Sequence, residues 1–120
     1  MAAANINLTI EKGSKYFKTF IWRDKSKTPI SLAGLSARMQ IRETITDIAF
    51  EVELTTINGR IVLEDNAETG RIDLILGATI TDAITINSGV FDLELYNVSD
   101  PDDVTRLMEG VVSIIEGVTR

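Results

Sequence analysis

The side chains of this chain that could do chemistry are almost all carboxylates and guanidinium groups, because it contains neither His nor Cys. Their absence removes the commonest general base and metal ligand, and it rules out a zinc site or a Ser-His or Cys-His triad. The densest acidic cluster is Asp100, Asp102 and Asp103 in the run SDPDD. Carboxylates so close together suit Ca²⁺, a hard cation that takes oxygen ligands. An EF-hand loop also needs a Gly and a distal Glu at fixed offsets, which are missing, so Asp-Pro-Asp reads first as hairpin-turn chemistry. Asp65 and Glu68 in EDNAETG are turn residues of the same kind.

Two further acidic pairs, Glu51 with Glu53 and Asp92 with Glu94, are spaced two apart, so each falls on one face of a strand. Acid–base catalysis by carboxylates needs two of them facing each other across a substrate, and nothing in the sequence brings one pair to the other. Arg38, Arg42, Arg71 and Arg106 fall on outward positions, suited to salt bridges with neighbouring Glu and Asp, and no Gly-rich phosphate loop accompanies them. No enzyme, cofactor or metal is expected. Trp22, Tyr16 and Tyr96 are the aromatics that could anchor an interface or stack on a sugar ring; Trp22 reads first as a core or boundary residue.

The formal net charge is −6 over 120 residues, against a nucleic-acid partner, since such binding is built on Lys and Arg neutralising phosphates. No apolar run approaches the roughly 20 residues of a bilayer span. The start, MAAANINLTIEKG, lacks a basic region followed by a long apolar one, so no secretory signal is expected there and the protein is expected to be made in the cytoplasm.

The elements that must position these residues read as strands. Leu35, Ala37, Met39 and Ile41 alternate with Ser36, Arg38, Gln40 and Arg42, the pattern of a strand with one buried face, and the chain is organised around it. Ile6, Leu8 and Ile10 alternate in the same way. Tyr16–Arg23 is rich in aromatic and β-branched residues, with a turn at Lys12-Gly13-Ser14 before it and a polar loop over Asp24–Pro29 after it. Further strands are expected over Ile48–Thr55, Arg60–Glu64, Arg71–Leu76, Val90–Tyr96 and Val104–Glu116. Ile48, Phe50, Val52 and Leu54 are expected inward, with Glu51 and Glu53 facing Arg38 and Arg42 across the pair.

Asn58-Gly59, Asp65–Gly70 and Asn97–Asp103 are expected turns. Gly77–Asn87 holds at most one helical turn, capped by Thr81, and Gly110 marks a bulge or crossing point in the last strand. Short strands with a turn signal about every ten residues describe one all-β domain over 1–120. The expected fold is an immunoglobulin-like antiparallel β-sandwich of seven to eight strands with one short helical turn, a barrel being the alternative.

Five segments in this order, LTIEKG (8–13), FKTFIWRD (17–24), TPISLAGLSARMQIR (28–42), FDLELYNV (91–98) and VTRLMEGVVSIIEGVTR (104–120), resemble a group of small virion proteins of tailed bacteriophages and prophages. In that group a strand, a charged turn, a Pro-Ile-x-Leu edge and a Tyr/Phe-Asp-Leu-Glu-Leu strand precede a closing Val-Thr-Arg-Leu…Glu-Gly strand. The first half is also similar to the N-terminal β-sandwich module of phage baseplate upper proteins. The resemblance implies an immunoglobulin-like domain in a tail, baseplate or neck, present in symmetry-related copies and acting as an adaptor to neighbouring virion proteins or fibres. It transfers no catalytic residue. The contacts expected for such an adaptor are the extended arm Met1, Ala2, Ala3, Ala4 and Asn5, the loop residues Asp24, Lys25 and Lys27, and the C-terminal Val118, Thr119 and Arg120. A carbohydrate- or receptor-binding module on the virion surface is the alternative.

Overall fold

Two sheets face each other across an aliphatic core. In the computed structural model, which describes residues 3–63 and 70–117, the elements run β1 (Ala4–Asn5), β2 (Leu8–Glu11), β3 (Tyr16–Ile21), β4 (Leu35–Arg42), β5 (Val52–Thr55), β6 (Ile61–Leu63), β7 (Arg71–Leu76), α1 (Ala78–Asp82), β8 (Ser88–Asn97) and β9 (Asp100–Ile115). The larger sheet has the order β1/β2-β9-β8-β4-β5 and the smaller the order β3-β7-β6. Taken in chain order as strands A, B, C, C′, D, E, F and G, these are the A-G-F-C-C′ and B-E-D sheets of an immunoglobulin-like sandwich. Neither sheet closes on the other, so it is not a barrel. The ladders are antiparallel except at β1 and β2, which run parallel to β9 one after the other along a single edge. Among the described residues the nine strands therefore fill eight positions.

The alternating residues explain why the layers close. Ala37, Met39 and Ile41 of β4 point inward beside Phe91, Leu93 and Leu95 of β8, and meet Ile72, Leu74 and Leu76 from the other sheet; all nine are buried. Full burial of one such large aliphatic side chain is worth about 1.5–3 kcal/mol. Leu35–Arg42 forms an interior strand as expected, with β4 between β8 and β5, but the middle position of the sheet belongs to β8. Gly110 is the crossing point: a Cβ there would lie 1.8 Å from the Ile6 carbonyl oxygen, where the chain passes from β1 to β2 over β9. The bulge lies three residues earlier. Leu93 opposes Met108 and Glu94 opposes Arg106, which leaves Leu107 as the extra residue.

Local hydrogen bonds move several expected boundaries. The strand expected from Ile48 begins only at Val52, and Ile48 is 98% exposed and Phe50 46% exposed. Arg42 donates through Nη1 to the carbonyls of Asp47 and Ile48, and Asp47 Oδ2 accepts from Thr44 N–H, so a side-chain-bonded loop replaces the ladder there. The turn expected over Asn97–Asp103 shrinks to Val98-Ser99. Asn97 Oδ1 accepts from Ser99 N–H and Asn97 lies opposite Asp100, but Pro101–Asp103 have no partner on β8 and the regular ladder starts at Val104 opposite Tyr96. Thr81 is not a helix cap, since Gly77 holds that position. The buried Thr81 hydroxyl instead accepts from Gly13 N–H (3.1 Å) and donates to the Ser14 carbonyl (2.8 Å), tying α1 to the β2–β3 turn. Asp65, Glu68 and Glu64 lie outside the described residues.

Candidate interaction surface

Most of the groups that could do chemistry are already held by neighbours. Arg38 Nε lies 2.9 Å from Glu94 Oε1 and its guanidinium stacks 4.8 Å from the Tyr96 ring; Arg106 Nε lies 3.5 Å from Asp92. Arg38 and Arg42 thus do not face Glu51 and Glu53 as expected. The β4–β5 register sets Gln40 opposite Glu53, to which its Nε2 donates at 2.8 Å, while Glu51 Oε1 accepts from the N–H and hydroxyl of Thr85. Burial pushes the Asp92 carboxyl above its ordinary value, Glu94 and Glu109 add to the rise, and Arg106 and Arg42 oppose it. The outer face of the large sheet is a lattice of paired charges.

The acidic run sits on the first residues of β9. Asp100, Asp102 and Asp103 are exposed, and Asp100 Oδ1 accepts from Asp102 N–H at 3.1 Å. Among the described residues no three metal-ligating side chains converge. Beside β5 and α1 lies a recess of about 310 Å³ lined by Phe50, Val52, Ile80 and Ile84, and its polar lining groups Glu51, Glu53, Asn58 and Arg60 all hold structural bonds. The three aromatics proposed for sugar stacking are half-buried. Trp22 and Tyr16 pack against the core, and Tyr96 lies under Arg38. The Tyr16 hydroxyl is buried with no partner, and burial pushes its ionisation up to about 12.

The sheet edges offer more. β5 has one open edge, and side chains close it: Asn58 Oδ1 accepts from Thr55 N–H (3.0 Å), while Asn58 Nδ2 (3.1 Å) and Arg60 Nη1 (2.9 Å) both donate to the Glu53 carbonyl. β9 is covered along Met108–Ile115 by β1 and β2, but no described strand pairs with the outer edge of Asp100–Leu107, and Asp100–Arg106 are exposed on both faces. β3 is the third case. Ile75 N–H donates to Arg60 on the β6 side, so Leu74 and its alternates bond toward β3 and pair with Tyr16, Lys18 and Phe20. The N–H and C=O groups of Phe17, Thr19 and Ile21 therefore point away from the sheet, where no described strand meets them. On the outer face of this sheet Phe17 is 51% exposed, beside a buried Asp73 that accepts from Thr19 Oγ1 (2.7 Å) and Arg71 Nε (3.0 Å).

The expected contact residues fall in two groups. Ala4 and Asn5 form β1, so their backbone pairs with Met108 and Glu109 of their own chain while their side chains stay exposed; Ala3 precedes them. Asp24 folds its own loop, with Oδ1 accepting from the N–H groups of Ser26 (2.8 Å) and Thr28 (3.0 Å), and this leaves Lys25 and Lys27 exposed on a fixed turn. Met1, Ala2, Val118, Thr119 and Arg120 lie outside the described residues. Lys15 and Lys18, which sequence reasoning did not single out, are exposed as well, and all five lysines lie between residues 12 and 27.

No protein-family model and no curated protein matches this chain. Among solved structures it is similar to the extracellular domain of the voltage-gated sodium channel beta4 subunit, described as a parallel homodimer with a role in cell–cell adhesion. The match covers 98% of this chain and 97% of that chain at 11% identity and a TM-score of 0.45. No helix among the described residues is long and apolar enough to cross a membrane.

Proposed function

We propose that this chain is a structural protein of a tailed-bacteriophage virion, an adaptor or connector in the tail, baseplate or neck that works by contact with neighbouring virion proteins. The observation that carries the reading is the order of the five segments from LTIEKG (8–13) to VTRLMEGVVSIIEGVTR (104–120), which resembles that group along nearly the whole chain. The surface is consistent with such a role. Its carboxylates and guanidinium groups largely hold one another or the backbone, and among the described residues sheet edges such as that of β3 meet no other strand.

The test is to induce the host that encodes the chain, purify particles on a density gradient, and seek the protein by mass spectrometry and immunogold labelling. Labelling confined to one place on the tail, neck or baseplate is the expected result. Tailed particles that lack the protein would overturn the reading.

A further inference from the structure

We infer that copies of this chain join head to tail, the open edge of β3 in one copy adding to the uncovered edge of β9, Asp102–Leu107, in the next. The inference goes beyond the virion reading and does not rest on it. Two observations carry it.

The first is that both edges are bare. β3 spans Tyr16–Ile21 with the backbone groups of Phe17, Thr19 and Ile21 directed outward, and the uncovered run of β9 spans Asp100–Leu107, in regular register with β8 over Val104–Arg106 and irregular over Pro101–Asp103 and at Leu107. Pro101 lacks an N–H, so added pairing starts at Asp102. Strand addition of this kind satisfies the exposed backbone of both partners at once.

The second is charge. Residues 12–27 hold all five lysines and Arg23 against the lone Asp24, whereas the tip of β9 carries Asp100, Asp102 and Asp103. Among the described residues Lys15, Lys18, Lys25 and Lys27 form no ion pair within the chain, and neither do those three aspartates. These ammonium and carboxylate groups give the two edges opposite charge, so they attract between copies.

The two edges are unlike, so the contact runs head to tail. Such a contact uses different surfaces on the two partners, so it builds a ring where the rotation closes and a filament where it does not.

The test measures solution mass by light scattering as concentration rises in low salt, for the parent chain and two exposed-surface variants. One variant is Lys15→Glu with Lys18→Glu, the other Asp102→Lys with Asp103→Lys. The parent is expected at multiples of the monomer mass, falling back to monomer at high salt, where screening acts within about 3 Å at 1 M. Each variant alone is expected to be monomeric with an unchanged circular dichroism melt. Their equimolar mixture should regain the parent's mass, because each then supplies the edge the other accepts. A parent that stays monomeric throughout, or a mixture that stays monomeric, would overturn the proposal.

Discussion

The open edges of β5 and β3 are the same kind of object treated in opposite ways. At β5 one residue of an Asn-Gly turn reaches back across the edge: Asn58 takes the Thr55 N–H and, with Arg60, fills the Glu53 carbonyl. Among the described residues no side chain hydrogen-bonds the outward backbone groups of β3. The residues there are Phe17, Lys18, Thr19 and Ile21, all exposed, and only the lysine resembles the usual protection of an edge. An uncapped edge keeps backbone donors and acceptors that another strand could pair with, whereas the capped one has filled them. The covered part of β9 is an intermediate solution, closed by the chain's own N-terminal segment.

The largest effect is expected where that covering is tightest. Gly110→Ala would drive a methyl group into the Ile6 carbonyl, so β1 and β2 must lift from β9 or β9 must bend. Overpacking against backbone should cost about 3 kcal/mol, read as a lower urea midpoint at unchanged slope. A midpoint near that of the parent would show that the N-terminal segment is not held as described. Next comes Asn58→Ala, which leaves Thr55 N–H and the Glu53 carbonyl with fewer partners. It should cost about 1–2 kcal/mol and raise the tendency to self-associate, turning the β5 edge into one more like β3. Lost stability without added association would mean that capping serves the turn alone.

How much of this was legible depended on the range of the interaction. Period-two alternation located β4, β7 and β8, because one buried face leaves its mark on consecutive residues, and the same signal gave the sandwich. It failed at Ile48 and Phe50, whose alternation continues after their partner strand ends at Arg42; where a ladder stops is decided by Arg42 binding the Asp47 and Ile48 carbonyls, a contact that spacing does not reveal. The pairing of Arg38 with Glu94 rather than Glu51 or Glu53 was hidden for a related reason, since alternation gives the face but not which neighbour lies on which side. Gly110 was readable as a crossing point because only a missing side chain explains a glycine in such a run. The β3 edge needed both levels: the lysines were visible in the sequence, but that their strand lies at the border of a sheet is a property of the topology.

A smaller effect is expected on the inner face of β3. The Tyr16 hydroxyl has no partner, and an orphaned buried donor costs stability, so Tyr16→Phe should be neutral or stabilising by about 1 kcal/mol. The pH dependence has a definite sign. The unfolded phenol ionises near 10 and the folded one near 12, so between these values the folded state holds the proton more tightly. The stability this represents is present below pH 10 and is lost as pH rises toward 12. Urea midpoints of the parent should therefore fall over that window more steeply than those of Tyr16→Phe; parallel curves would show that the hydroxyl is hydrated.

The smallest effect sharpens the contrast with the paired lattice on the large sheet. Asp92 has Arg106 at 3.5 Å, yet its carboxyl is raised, chiefly by burial and then by Glu94 and Glu109. A raised carboxyl means the fold prefers the protonated form, so stability from this group is greatest at low pH and declines as pH rises through the folded value. Asp92→Asn removes the charge and keeps the shape. It should stabilise the protein at pH 7 by a few tenths of a kcal/mol, the scale of partly exposed charge pairs, and change nothing at pH 3. A loss at pH 7 would mean that the bridge to Arg106 outweighs burial. The lattice would then be a net source of stability, in contrast to the β3 edge, where Lys15 and Lys18 form no ion pair within the described chain.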